Sequence, residues 1–142
     1  FRAKTLADTY QAIKSTFGTG GEMLLFWQGQ EAGKTTANLI STFLQQASSE
    51  VKLRFHINAL TAMGIGIFSL EKLSEDEIVI SCQELFESRF FKGKLGKPNC
   101  TFTRGYVSGM SAVYYNKERL SAEEVECIAK GDSHCVFKVK LR

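Results

Sequence analysis

The chain is poor in several things, and each shortage removes a class of function. It has one proline, one tryptophan and two histidines in 142 residues, and no low-complexity run. Such a composition is that of an ordinary globular chain, and the length fits one domain, residues 1–142, with a core of useful size. No stretch approaches the roughly 18 consecutive apolar residues that a bilayer-spanning helix needs, so no membrane partner is expected. Basic residues carry no stripe: the net charge is +3, and Lys92, Lys94 and Lys97 form the densest run. A nucleic-acid groove is therefore not indicated, and no direct nucleic-acid contact is expected. With two histidines and no Ser-His-Asp set, a general-base mechanism has little to rest on. Glu75, Asp76 and Glu77 read as turn charges, and an enzyme is the less favoured reading. No secretory signature is visible. Because the chain opens at Phe1 rather than Met, a domain processed or cut from a longer protein is expected.

What is abundant is phenylalanine, eleven residues against four tyrosines. That bias suggests an interior of apolar aromatic surface, arranged around a cavity. The four cysteines (Cys82, Cys100, Cys127, Cys135) are too few and too spread for a disulfide scaffold. A reduced, cytoplasmic setting is expected for them, where thiols are available to a metal.

Periodicity along the chain points to about four helices and an antiparallel sheet. Leu6, Tyr10, Ile13 and Phe17 recur at helical spacing, and Gly18 to Gly21 stops that helix. Met23–Trp27 is a short apolar run that reads as a buried strand. A second helix from about Gln30 carries Thr36, Leu39, Ile40, Phe43 and Ala47 on one face, up to Ser48-Ser49. Leu53, His56, Ile57, Leu60 and Met63 mark a third, ended by Gly64 and Gly66. Two strands follow, Ile67–Leu73 and Glu77–Glu84, with a turn at Ser74-Glu75-Asp76. Lys92–Pro98 is a basic, glycine-containing loop, the segment expected to be mobile. A fourth helix runs from about Cys100 to Tyr115, with Gly105, Gly109 and Ala112 making a narrow face. The last strand alternates Cys135, Phe137, Val139 and Leu141 with polar neighbours, so one face is buried. Helices and an antiparallel sheet in separate layers make an α+β two-layer sandwich.

The richest segment is the C-terminal one, where Cys127 and Cys135 bracket a short turn containing Gly131. Placed opposite each other on two antiparallel strands, their Cβ atoms would lie about 4.5–5.5 Å apart. Two thiolates there can share one ion, and Cys100 can supply a third sulfur. Zinc takes four tetrahedral ligands at Zn–S distances of about 2.3 Å, and spacing leaves the fourth ligand open. Glu124 is on the wrong parity for Cys127 unless the strand is bulged. His134 neighbours Cys135 and should point away, and Cys82 sits in another hairpin. Buried hydrophobic cysteines and a Cys127–Cys135 disulfide are the competing readings. Three thiolates and a carboxylate leave no vacant position, so such a site is structural, not catalytic. Glu123, Glu124 and Glu126 lie too near it to argue as a catalytic pair.

Cys100-Thr101-Phe102-Thr103-Arg104-Gly105-Tyr106, then Glu124-x-x-Cys127, then Gly131-Asp132-x-x-Cys135-x-Phe137, resembles the 4-vinyl reductase (4VR) domain family. The resemblance is strongest over residues 99–141 and extends weakly to Leu24-Leu25-Phe26 with Gly29 and Gly33. It implies a small-molecule-binding domain of the kind used as the sensor module of aromatic-responsive transcription regulators. It implies a fold similar to TRAPP trafficking subunits and haem-based nitric-oxide sensors, frequent homodimerisation, and an apolar pocket between helices and sheet. It also implies a structural Zn2+ held by Cys100, Glu124, Cys127 and Cys135. The family name suggests a second reading, a tetrapyrrole-related reductase or accessory protein. The TRAPP likeness suggests a third, a structural protein-interaction domain.

For the ligand, a small hydrophobic or aromatic molecule, the candidate contacts are His56, Phe68, Phe86, Tyr106 and Met110. His56 lies on the apolar stripe of its helix, where its imidazole is either a core group bonded to the backbone or the polar anchor of a pocket. Pockets of this kind are mostly apolar with a few placed polar groups. The strand Ile80–Phe86 offers no tryptophan, so phenol specificity is not expected. Gly29–Thr36 imitates a phosphate-binding loop, but the required first glycine falls on Gln28. Its glycines are better explained by close helix-to-sheet packing.

Overall fold

A computed structural model of the chain describes residues 2–142. Among these, three α-helices, α1 (Ala3–Phe43), α2 (Ser49–Ala62) and α3 (Thr101–Tyr114), accompany four strands. The strands are β1 (Ile67–Leu73), β2 (Glu77–Gln83), β3 (Ala122–Glu126) and β4 (Cys135–Lys140), with a short 3-10 turn at Arg89–Phe91. They form one antiparallel sheet in the order β1-β2-β4-β3. The inner face carries Ile78, Ile80, Phe137 and Val139, all fully buried. Helices α2 and α3 pack on that face, and α1 packs on α3. The expected α+β sandwich is the observed fold. Among the described residues no helix is long and apolar enough to cross a membrane.

Local chemistry explains the boundaries. Ser48 Oγ accepts from Val51 N (3.3 Å) and caps α2. Gly64, at φ +79°, ends it while Ile65 N reaches back to Leu60 O (3.2 Å), a pattern a side chain at Gly64 would strain. The β1–β2 turn lies where Ser74-Glu75-Asp76 indicate it, with Ser74 Oγ accepting from Glu77 N at 3.2 Å. The second strand of the C-terminal hairpin alternates as expected, with Cys135, Phe137, Val139 and Leu141 buried.

Two expectations are corrected, and with them the count of about four helices. Gly18 does break the first helix: its φ of 54° and ψ of −131° are non-helical, and Gly21 packs against the carbonyl of Ile13 across the bend. The chain then re-enters helix, so the first two expected helices are arms of one element. Met23–Trp27 is helical, not a buried strand. Leu25 alone of the five is fully buried, while Met23, Leu24 and Trp27 are about half exposed. A five-residue apolar run carries too few positions to separate the two periods.

The second correction concerns the glycines. Gly29 and Gly33 on α1 face Gly105 and Gly109 on α3. A Cβ on any of the four would collide with a main-chain carbonyl oxygen of the opposite helix: Phe102, Tyr106, Phe26 and Gln30 respectively. The glycines serve a helix-to-helix crossing in backbone contact, not helix-to-sheet packing. Because Gly29–Thr36 is helical, it presents no loop to a phosphate.

Candidate metal centre and adjoining cavity

Cys127 and Cys135 are not ladder partners; Cys135 pairs with Cys82 across β2 and β4. Cys127 follows the end of β3 and opens a tight knuckle. Its carbonyl accepts from Gly131 N (3.2 Å) and Asp132 N (3.1 Å), and its N–H donates to Asp132 Oδ2 (2.9 Å). Ile128 N donates to Cys135 Sγ at 3.4 Å. The knuckle, rather than opposed strands, turns the Cys127 sulfur toward Cys135.

A bulge resolves the parity of Glu124. On β3, Glu124 pairs with Phe137 but Glu126 pairs with Val136, so one extra residue lies between them. The slip reverses the facing of everything after it. Glu124 and Cys127, three apart, therefore both face the helices. Cys100 arrives from the other side as the N-cap residue of α3. Its Sγ lies 3.5 Å from that of Cys135 and 3.9 Å from that of Cys127. Tetrahedral zinc thiolates at about 2.3 Å would put sulfurs about 3.8 Å apart.

Cys100, Glu124, Cys127 and Cys135 offer ligand atoms all within 4.8 Å of one another. Glu124 Oε2 accepts from Cys100 N (3.1 Å), while Oε1 is buried with no hydrogen-bond partner among the described residues. An orphaned carboxylate oxygen facing three thiols is what a cation would satisfy, and the donor set fits a divalent metal. Burial pushes the Glu124 carboxyl up to about 8. Burial also raises the Cys100 thiol, whereas hydrogen bonds from Cys100 and Cys135 pull Cys127 far down. Without an ion the cluster supports about one thiolate; a bound cation would deprotonate the rest. His134 is bonded to Gln83 and Ser133 at the surface, and Cys82 donates to the Gln83 carbonyl. Neither joins the cluster.

The segment Phe86-Glu87-Ser88 supports it. Ser88 Oγ lies 2.8 Å from Cys100 Sγ and 3.4 Å from Cys127 Sγ. The buried Glu87 carboxylate accepts from Phe102 N (3.1 Å), Thr103 N (2.6 Å) and the Thr103 hydroxyl (2.5 Å). It supplies the acidic cap that Cys100 does not, where the α3 dipole favours negative charge. Lys14 Nζ donates to Asn99 O (2.6 Å) and Asn99 Nδ2 donates to Glu87 O (2.9 Å), which joins α1 to this corner. The first half of the Lys92–Pro98 loop is tied down too: Gly93 N and Leu95 N each donate at 3.0 Å to Ile128 O and Ala129 O of the knuckle.

Phe86 also belongs to a cavity of about 410 Å³ between α1, α2, α3 and β1. Tyr10, Thr36, Phe68, Phe86, Phe102 and Tyr106 are among its walls. Tyr10 packs on Phe102 and Phe86 with ring centroids 5.4 and 5.9 Å apart. Of the five ligand contacts expected from sequence, Phe68, Phe86 and Tyr106 line this space. Met110 is buried one turn farther along α3 and does not line it. His56 stands behind the wall: its Nε2 is 2.8 Å from the Tyr106 hydroxyl and its Nδ1 is 2.8 Å from that of Tyr114. Burial lowers His56 to about 4, so the ring is neutral near pH 7. Sequence reasoning missed Tyr10, Phe102, Tyr114, Glu87 and Ser88. Their roles depend on partners far along the chain, and no local pattern announces them.

Comparison with known proteins places this architecture. A relative from Methanocaldococcus jannaschii, an uncharacterized protein, is 24% identical over 135 residues, covering 93% of this chain and 73% of its own. The phenol-responsive sensory domain of the transcription activator PoxR, solved with phenol, matches with a TM-score of 0.86 at 19% identity. That match covers 99% of this chain and 74% of the other. A trafficking protein particle complex subunit 3 from Naegleria fowleri, covalently bound to palmitic acid, matches with a TM-score of 0.63 at 15% identity. It covers 99% of this chain and 95% of that one. These two likenesses establish the fold. The family model of the 4-vinyl reductase domain matches residues 79–141, a span that holds the Cys100–Tyr106 motif, Glu124-x-x-Cys127 and Cys135. The chain carries a 4-vinyl reductase (4VR) domain, of the family its C-terminal motifs resemble.

Proposed function

We propose that this domain is a non-catalytic sensor that encloses a small hydrophobic or aromatic molecule, its walls braced by a structural Zn2+. The observation that carries the reading is the 410 Å³ cavity, walled by aromatic rings with a few hydroxyls. That is the chemistry of binding pockets, apolar surface with a small number of placed polar groups. The fold likeness to a phenol-bound sensory domain supports the same reading. Cys100, Glu124, Cys127 and Cys135 would hold the ion. When bound, it contributes folding free energy and neutralises buried negative charge. Ser88 then donates to the sulfurs, and Glu87 holds the start of α3, whose Phe102 and Thr103 are cavity walls. Ligand occupancy would be passed to an attached regulatory domain. Free thiols gathered in one cluster suit a reducing, cytoplasmic compartment.

The test is native mass spectrometry with metal analysis, followed by thermal shift with aromatic probes. One zinc per chain and a melting temperature that rises with the probe are expected. Absence of binding by every probe, with the zinc in place, would leave the sensor reading without support.

A second reading, assembly with another copy of the chain, is favoured by one observation. Met23, Leu24 and Trp27 expose about half their surface on neighbouring turns of α1, a concentration of apolar area suited to a partner. Light scattering would show a dimer that Trp27→Glu reduces to monomer; a wild-type monomer at all concentrations rules this reading out.

A further inference from the structure

Among the described residues, Tyr106 is the only cavity residue whose hydroxyl is backed by a histidine. Its position is fixed from both sides. Gly33 of α1 packs against its main-chain carbonyl, and His56 holds its hydroxyl at 2.8 Å. Thr36, another cavity wall, places its own hydroxyl beside that of Tyr106. The phenolic oxygen thus stands at the boundary between the cavity and the buried imidazole. Tyr114, on the far side of the ring, is buried and takes no part in the wall.

Counting protons gives this row an unusual property. A neutral imidazole carries one N–H and one bare nitrogen, and each is paired with a tyrosine hydroxyl. With the proton on Nδ1, His56 donates to Tyr114 and accepts from Tyr106, whose lone pairs then face outward. With the proton on Nε2, His56 donates to Tyr106, whose own O–H is freed, while Tyr114 donates to Nδ1. Both arrangements satisfy every buried group without moving a heavy atom. They differ in what Tyr106 offers the cavity, an acceptor in the first and a donor in the second.

We infer that Tyr106 is the polar contact for the cavity's ligand and that the His56 tautomer, relayed to Tyr114, sets which kind of hydrogen bond it makes. The cavity then takes uncharged ring compounds bearing one polar group of either sense, a hydroxyl or N–H donor or a carbonyl acceptor. His56 and Tyr114 are positioning residues in this scheme. The inference rests on the cavity being a ligand site.

Three matched bicyclic probes separate the terms: indole (donor only), 1-indanone (acceptor only) and indene (neither). The whole domain, 15N-labelled at histidine, is titrated with each, and His56 nitrogen shifts report the tautomer, with exposed His134 as internal reference. The expected result is an Nδ1–H ring with indole and an Nε2–H ring with 1-indanone. Binding should favour each polar probe over indene, and Tyr106→Phe should erode both preferences by about fivefold, the worth of one neutral hydrogen bond. Tyr114→Phe leaves Nδ1 without a partner. Because a bare buried acceptor is tolerated better than a bare N–H, that variant should shift selectivity toward 1-indanone. The same tautomer with both polar probes, or preferences that survive Tyr106→Phe, would overturn the relay while leaving the cavity a binding site. If none of the three binds, the sensor reading fails and this inference falls with it. Should Tyr106→Phe not fold, the wild-type tautomers decide.

Discussion

Glu124 joins three cysteines because one extra residue, Val125, is inserted in β3. Its unpartnered Oε1 and the sulfur separations of 3.5 and 3.9 Å are what make the group a metal site. Cys127→Ser or Cys135→Ser should lower stability by several kcal/mol and abolish stoichiometric zinc, given the energetics of structural zinc. Paired melting curves and metal analysis check this; an unchanged melt in either variant removes the metal from the account. His56 gives a prediction in pH. Its folded value is lowered to about 4 from an ordinary 6.5 by burial. Between those values the unfolded chain binds the proton and the folded one does not, so stability is present above about pH 6.5 and is lost as pH falls toward 4. The shift is worth about 3 kcal/mol at most. His56→Gln should flatten this part of the stability profile between pH 7 and 5. Comparing the two proteins isolates the histidine from acid loss of the metal, and parallel profiles would show that His56 does not titrate as its burial implies.

At the scale of elements, the decisive contact is the crossing of α1 and α3. Four glycines let main chains touch, and the same crossing sets Thr36 beside Tyr106. Gly33→Ala or Gly109→Ala should destabilise by about 1–3 kcal/mol, the range for overpacking a tight interior. Gly20 is a control on the same helix, since a Cβ there meets nothing within 4 Å. Gly20→Ala should leave stability unchanged or raise it by up to about 1 kcal/mol through helix propensity. Equal effects at Gly20 and Gly33 in chemical denaturation would mean that propensity, not the crossing, governs these positions. The small residues were visible in the sequence as a narrow face, but their partner was not. A glycine reports that something approaches closely, and not what approaches.

Across the whole molecule, the cavity and the cysteine cluster share two short segments. Phe86 and Ser88 flank Glu87, one at the cavity and one at the sulfurs. Cys100 stands just before Phe102 and Thr103, which line the cavity. Binding at two sites that share structure is linked reciprocally. Stripping the metal with a chelator should therefore lower the melting temperature and weaken indene binding together, and a saturating probe should slow metal loss. Calorimetry before and after chelation, with a release assay, reads both; probe affinity untouched in a folded, metal-free protein would show that the two sites are independent.

Much of the outcome was legible in the chain. The helix stop at Gly18, the Ser74–Asp76 turn, the alternation of β4 and the zinc-like set of Cys100, Cys127 and Cys135 all depend on neighbours in sequence, which local periodicity and turn chemistry report. Other features depended on residues brought together only by folding. The helical state of Met23–Trp27 follows from the packing of α1 on α3. The bulge that turns Glu124 inward is one residue of slippage against β4, the Glu87 cap comes from a distant segment, and the Tyr106–His56–Tyr114 row joins two helices. Sequence by itself determined which side chains could bind a metal or wall a cavity, because chemistry belongs to the residue. Only the tertiary structure decided which of them meet, because register and crossing are settled by packing between elements rather than within them.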